Sequence, residues 1–264
     1  MKFIDLFAGI GGFRFGMESA GHECVAFCEI DKFARASYKA IHDTEGEIEL
    51  HDITQVTDDE IRSIGHVDAI CGGFPCQAFS IAGNRRGFED TRGTLFFEIA
   101  RFASILKPKY LFLENVKGLL NHDKGDTFEV ILSALDGLGY DVEWQVLNSK
   151  DFGVPRGDVV SVDSLAPTLC STTTQKDPLK ILLAGNLPGS HEQIANTLLT
   201  GESQGVVEPS FRIRKLTPRE CWRLQGFPDW AFDKAQEVNS NSQLYKQAGN
   251  SVTVNAIKEI ARYL

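Results

Sequence analysis

Short apolar runs with β-type patterning recur along the first half of the chain, at Phe3–Phe7, Cys24–Cys28, Val67–Cys71, Tyr110–Leu113 and Val142–Leu147. Between most of them apolar positions return with a helical period, which predicts amphipathic helices near Phe13–Ala20, Lys32–Ile41, Thr94–Leu106 and Thr127–Leu138. Strands alternating with helices predict an α/β fold, a parallel sheet with helices on its faces. Ligands in such sheets bind at the carboxyl ends of the strands. The unusual residues fall at those ends: Phe7-Ala8-Gly9, Glu29, Phe74-Pro75-Cys76 and Glu114-Asn115.

Beyond Gly153 the pattern breaks. From Val154 to about Ser210 Pro, Gly, Ser and Thr cluster without a helical period, as in loops and short strands. Order returns at Leu216–Leu224, where Thr217 as N-cap, Pro218 behind it and Glu220 at the third helical position predict a capping box. A last helix is predicted from Val252 to Tyr263, its apolar side formed by Val252, Ala256, Ile257, Ile260 and Leu264.

Composition narrows the class. The 264 residues are 42% hydrophobic and 24% charged, which excludes collagen-like and wholly disordered chains. No apolar run is long enough to span a bilayer and no signal peptide opens the chain, so a cytoplasmic protein without a membrane partner is expected. The net charge of -9 speaks against a nucleic-acid partner, because phosphate contacts usually come from Lys and Arg. Basic residues do gather locally, at Arg85, Arg86 and Arg92 and again at Arg212, Arg214, Lys215, Arg219 and Arg223, although a solvated basic surface would read the same way. Cys24, Cys28, Cys71, Cys76, Cys170 and Cys221 form no C-x-x-C pair, so neither a disulfide framework nor a metal site is expected.

Two segments carry chemistry in their own right. Asp5-Leu6-Phe7-Ala8-Gly9-Ile10-Gly11-Gly12 reads as a strand entering a Gly-rich turn and then a helix, where the backbone can approach a ligand closely. With Glu29 ending the next strand, it suits an adenosine-type cofactor whose ribose the carboxylate holds; a tight turn beside a surface glutamate is the plainer alternative. Cys71-Gly72-Gly73-Phe74-Pro75-Cys76-Gln77-Ala78-Phe79-Ser80 puts a cysteine just past a buried strand, a position hard to explain by packing. A helix N-terminus beyond it would favour the thiolate. Glu114 ends the apolar run Tyr110–Leu113, and Gln247–Val252 forms a Gly-Asn turn before the last helix.

Five strings together resemble the bacterial DNA (cytosine-5)-methyltransferase family: Asp5–Gly12, Glu29 with Asp52-Ile53, Phe74–Ser80, Glu114-Asn115-Val116 and Gly249–Val252. The similarity continues through Gly87–Leu95 and Leu216–Gly226, covering residues 1–155 and 211–264. The resemblance implies a Rossmann-like, S-adenosylmethionine-dependent methyltransferase sheet with a reduced small domain. Residues 1–155 would form the catalytic and cofactor-binding domain, 156–247 the target-recognition region, and 248–264 a helix returning to the catalytic domain. It implies Cys76 as the nucleophile toward C6 of a flipped cytosine in double-stranded DNA and Glu114 as its partner at N3 and the exocyclic amine. Phe7, Gly9, Gly11, Glu29, Asp52, Ile53, Leu95 and Asn250 would hold S-adenosylmethionine, leaving S-adenosylhomocysteine as product. Ser80, Arg85, Arg86 and Arg92 would lie in the loop that closes over DNA.

The chain departs from the family in two places. An aromatic residue often follows the motif's glutamate, where this chain has Ile30. The string Asp151–Pro155 normally continues into Gln-x-Arg-x-Arg, but here runs Arg156-Gly157-Asp158-Val159-Val160, with Asp158 and Val160 at the arginine positions. Only about Gly157–Ser210 is left for target recognition, which reads as an internal deletion or as a divergent compact domain. Two functions therefore stand side by side: a working methyltransferase, and an impaired or partner-dependent chain whose recognition comes from a second subunit. A tRNA-directed relative is a third reading.

Overall fold

The structure is a computed structural model that describes residues 1–75, 95–153, 179–181, 205–207 and 213–264. Its core is a sheet of β1 (Lys2–Leu6), β2 (Glu23–Cys28), β3 (Ile48–Leu50), β4 (Ala69–Gly73), β5 (Tyr110–Val116), β6 (Gln145–Val146) and β7 (Leu179–Ile181), in the order β3-β2-β1-β4-β5-β7-β6. The first five strands pair in parallel, and β7 is antiparallel to both β5 and β6. Strand order reverses at β1, which lies between β2 and β4, so the carboxyl ends of β1 and β4 flank a switch-point crevice.

Side chains alternate across β1 as a pleated strand requires. Ile4 and Leu6 enter a core covered by α3 (Asp58–Ser63), α4 (Leu95–Leu106) and α5 (Asp126–Gly137). Phe3 faces the opposite side, against Phe13 and Met17 of α1 (Gly12–Ser19) and Ile257 and Ile260 of α9 (Val254–Ala261). The helix α2 (Lys32–Ile41) stacks Tyr38 on Phe27 with ring centroids 4.4 Å apart. A separate apolar cluster joins α6 (Pro218–Leu224), α7 (Asp229–Val238) and α8 (Asn241–Gly249) to Ile10, Ile41 and Val254. Cys24 and Cys28 are buried free thiols in β2, as their apolar run implied.

The expected strand over Val142–Leu147 shrinks to Gln145–Val146, because the neighbouring β7 supplies only three residues to pair with. The short pair of β8 (Gly205–Val207) and β9 (Ile213–Lys215) is antiparallel. Several elements escape the sequence pattern, among them β3, α3, α7 and α8. Helices α7 and α8 bury thin stripes, Ala231, Phe232 and Ala235 in α7 and Leu244, Gln247 and Ala248 in α8, too narrow to stand out as a helical period. Among the described residues no helix is long and apolar enough to cross a membrane.

Candidate active site

The turn after β1 is built from backbone that few residues tolerate. Phe7 has φ 54°, Gly9 57° and Gly11 85°. A non-glycine residue held in this region marks stored strain, which clusters at functional sites. The turn is nevertheless well tied: Ala8 N–H donates to Cys28 O at 3.0 Å, and Gly11 N–H to Ala8 O at 2.8 Å. Glu29, directly past β2, accepts from Gly9 N–H at 2.8 Å and from Asp31 N–H at 2.7 Å, so one carboxylate bridges both strand ends. Among the described residues, and apart from its two chain neighbours, no atom lies within 4 Å of where a Cβ of Gly9 would point.

The other predicted cofactor residues fall into two groups. Asp52 lies partly exposed near that rim, with Oδ1 accepting from Thr54 N–H at 3.0 Å and Thr54 Oγ1–H at 2.7 Å. Phe7 is half-buried and Asn250 is exposed at the end of α8. Ile53 differs: its side chain belongs to the core and Arg101 donates to its carbonyl, so it has no side chain to offer a ligand. Leu95 opens α4 and also packs against that core. Ile30, where an aromatic residue is common, is 67% exposed and free to cover a flat ligand.

Farther along the sheet, Glu114 approaches the end of β4. Glu114 pairs with Gly73 in the β4–β5 register, and a Cβ on Gly73 would sit 2.8 Å from Glu114 Oε2. The same Cβ would lie 3.8 Å from Val252 Cγ1, while one on Gly12 would meet Val252 Cγ2 at 2.7 Å and Ser251 Oγ at 2.9 Å. Thus the Gly-rich turn, the end of β4, Glu114 and the Gly249–Val252 string converge. Burial pushes the Glu114 carboxyl up to about 8. Cys76, Ser80, Arg85, Arg86 and Arg92 lie outside the described residues, as do Arg156, Asp158, Val160 and Arg212.

Asn115 stands out in the sequence only as part of a string, yet it has a definite job. Buried to 5% exposure, its Nδ2–H donates to Phe74 O at 2.7 Å and its Oδ1 accepts from Val116 N–H at 2.9 Å. Asn115 therefore ties the end of β5 to the segment leading into Cys76. The basic cluster near α6 is changed in the opposite sense. Arg223 forms a fork with Asp229, at 2.7 and 2.6 Å, and Arg219 is paired with Asp233 and stacked on Phe232. Those two arginines are thus paired with carboxylates of the protein itself. A cleft of about 520 Å³ lies at the margin of the sheet, between Tyr110–Leu113 and Asp141–Glu143, and none of the described candidate site residues lines it.

Known proteins match this arrangement along nearly the whole chain. The family profile described as C-5 cytosine-specific DNA methylase matches residues 1–157 and 170–264. Its break falls where the arginine-bearing string is lost. Type II methyltransferase M.HhaI of Haemophilus parahaemolyticus is 37% identical over 318 residues, covering 99% of this chain and 93% of the relative. Type II methyltransferase M.NlaX of Neisseria lactamica is 37% identical over 308 residues, covering 100% and 96%. Both alignments are longer than the 264-residue chain, so these relatives carry residues with no counterpart here. Among solved structures, S. pombe Dnmt2 methyltransferase superposes with a TM-score of 0.68 at 17% identity, covering 99% of this chain and 97% of that one, a likeness of fold. On the profile and the relatives together, the chain belongs to the C-5 cytosine-specific DNA methylase family, whose enzymes use S-adenosylmethionine.

Proposed function

We propose that Cys76 and Glu114 carry out methyl transfer to C5 of a cytosine flipped out of double-stranded DNA, with the cofactor held at the β1–β2 rim. Cytosine C5 is a weak nucleophile and must be activated first. The Cys76 thiolate forms a bond to C6, and the displaced ring electrons collect toward N3 and C5. A carboxyl that is protonated near neutral pH, as burial makes Glu114, can donate to N3 while its second oxygen accepts from the exocyclic amine. S-adenosylmethionine supplies an electrophilic methyl to the activated C5. Loss of the C5 proton to water re-forms the C5–C6 double bond as the C6–S bond breaks to release the Cys76 thiolate, and N3 returns its proton to the Glu114 carboxylate. The base must leave the duplex for any of this to happen.

The cofactor's needs fit the residues present. Glu29 would accept from ribose hydroxyls, Asp52 from the adenine amine, Ile30 would cover the ring, and Phe7, Gly9, Gly11 and Asn250 would line the remainder. Ile53 and Leu95 would contribute backbone or support. Ser80, Arg85, Arg86 and Arg92 would close over the DNA. The observation that carries this reading is the position of Glu114 beside Gly73, on the strand that leads through Phe74 and Pro75 to Cys76.

A second reading draws on Asp158 and Val160 at positions where the family's arginines stand. Without them the chain would bind cofactor but need a second subunit for turnover. Incubation with a 5-fluorocytosine duplex and S-adenosylmethionine separates the two. The expected result is a covalent protein–DNA adduct that Cys76→Ala abolishes. Cofactor binding without an adduct would sink the first reading, and an adduct that forms only with an added second polypeptide would establish the second.

A further inference from the structure

His42 follows α2 directly, is 8% exposed and belongs to none of the motif strings. We propose that His42 is a positioning residue for the cofactor site: from beneath the Gly-rich turn it holds Ile10 and Gly11 in the shape that bound S-adenosylmethionine meets. The inference rests on the cofactor reading above. His42 Nε2 lies 3.3 Å from Ile10 O. A carbonyl can only accept, so Nε2 carries the proton and the other ring nitrogen does not need one. The ring is wedged between Phe15, with centroids 4.9 Å apart, and Tyr38, at 4.6 Å. Tyr38 is itself locked by its stack on Phe27 and by its hydroxyl, which donates to Asp5 Oδ2 at 3.3 Å.

Space tells the same story as hydrogen bonding. A Cβ on Gly11 would fall 2.1 Å from His42 Nε2, so the imidazole fills the volume that any side chain at position 11 would need. Burial, followed by the nearby Arg14 guanidinium, lowers His42 to about 3, so the ring stays neutral and keeps a single N–H to donate. The turn is thereby held at two points, Gly9 by Glu29 at the rim and Ile10 by His42 below. A histidine that merely filled the core would stabilise the protein without setting its affinity for a ligand.

Calorimetric titration of S-adenosylmethionine into wild type, His42→Gln and His42→Asn tests this, with melting of each apo protein alongside. Gln brings an amide N–H to the reach of Nε2, whereas Asn is too short. Expected are a Kd raised about tenfold or more in His42→Asn, a Kd within about threefold of wild type in His42→Gln, and closely similar apo melting temperatures for the two. KM for the cofactor should follow Kd while kcat changes less. Wild-type affinity in His42→Asn overturns the proposal, as does equal loss of affinity in both variants. If His42→Asn does not fold, a His42→Gln Kd more than tenfold above wild type overturns it, and a near-normal Kd there upholds it. No binding by wild type would instead defeat the cofactor reading itself.

Discussion

Glu114 behaves unlike a surface glutamate because its surroundings remove water, and among the described residues none supplies a compensating cation. Its carboxyl, pushed up to about 8, binds a proton in the folded state across a range where the unfolded chain has released it. Between roughly pH 4.5 and pH 8 the native state therefore holds more protons, and stability must fall as pH rises through that window. Glu114→Gln should melt a few degrees above wild type at pH 8 and at the same temperature near pH 4, as paired thermal scans would show. Methyl transfer by the same variant should drop by about 10²–10⁴-fold, since an amide can hydrogen-bond N3 but cannot give it a proton. The residue type was legible in the sequence, but not its place: the strand expected to end at Leu113 runs on to Val116, because Glu114, Asn115 and Val116 pair with β7. The raised pKa was not legible either, because it depends on what other segments pack around the carboxyl.

At the level of elements, local chemistry was most readable where a helix declares its own start. The capping box of α6 forms as expected, with Glu220 Oε2 accepting from Thr217 N–H at 2.7 Å and Thr217 Oγ1 accepting from Glu220 N–H at 3.3 Å. The same device caps α3 through Thr57 and Glu60, but that helix is too short for a period to draw the eye to its start. Thr217→Ala removes one cap and should cost about 1 kcal/mol, readable in a denaturant titration as a lower midpoint with an unchanged slope. Where an element depends on a neighbour, the local pattern fails. The apolar run Val142–Leu147 has strand character throughout, yet only Gln145 and Val146 find a partner in β7. The helices α7 and α8 are stable because they bury their narrow stripes against each other, α2 and α6, which no local window reveals.

Across the whole molecule, charge illustrates how assembly redirects residues. A net charge of -9 is compatible with DNA only if cations are concentrated, and by sequence α6 is one such place. Folding brings Asp229 and Asp233 of α7 against Arg219 and Arg223, so these arginines are paired on the protein surface. Neutralising both should leave the salt dependence of DNA binding unchanged. Neutralising Arg85, Arg86 and Arg92 should flatten the slope of log K against log salt, by about 0.9 for each phosphate that the protein then leaves unneutralised. The amino-acid order by itself determined the α/β class, the turn that joins β1 to α1 with Glu29 just past β2, and the family, because periodicity, turn chemistry and motif strings are local properties of the chain. Only the tertiary structure decided that Gly12, Gly73, Glu114 and Val252 meet, that Asn115 braces Phe74, that Ile53 turns into the core and that His42 lies under Gly11. Those outcomes depend on contacts between residues far apart in sequence, which sheet order and helix packing alone bring within reach.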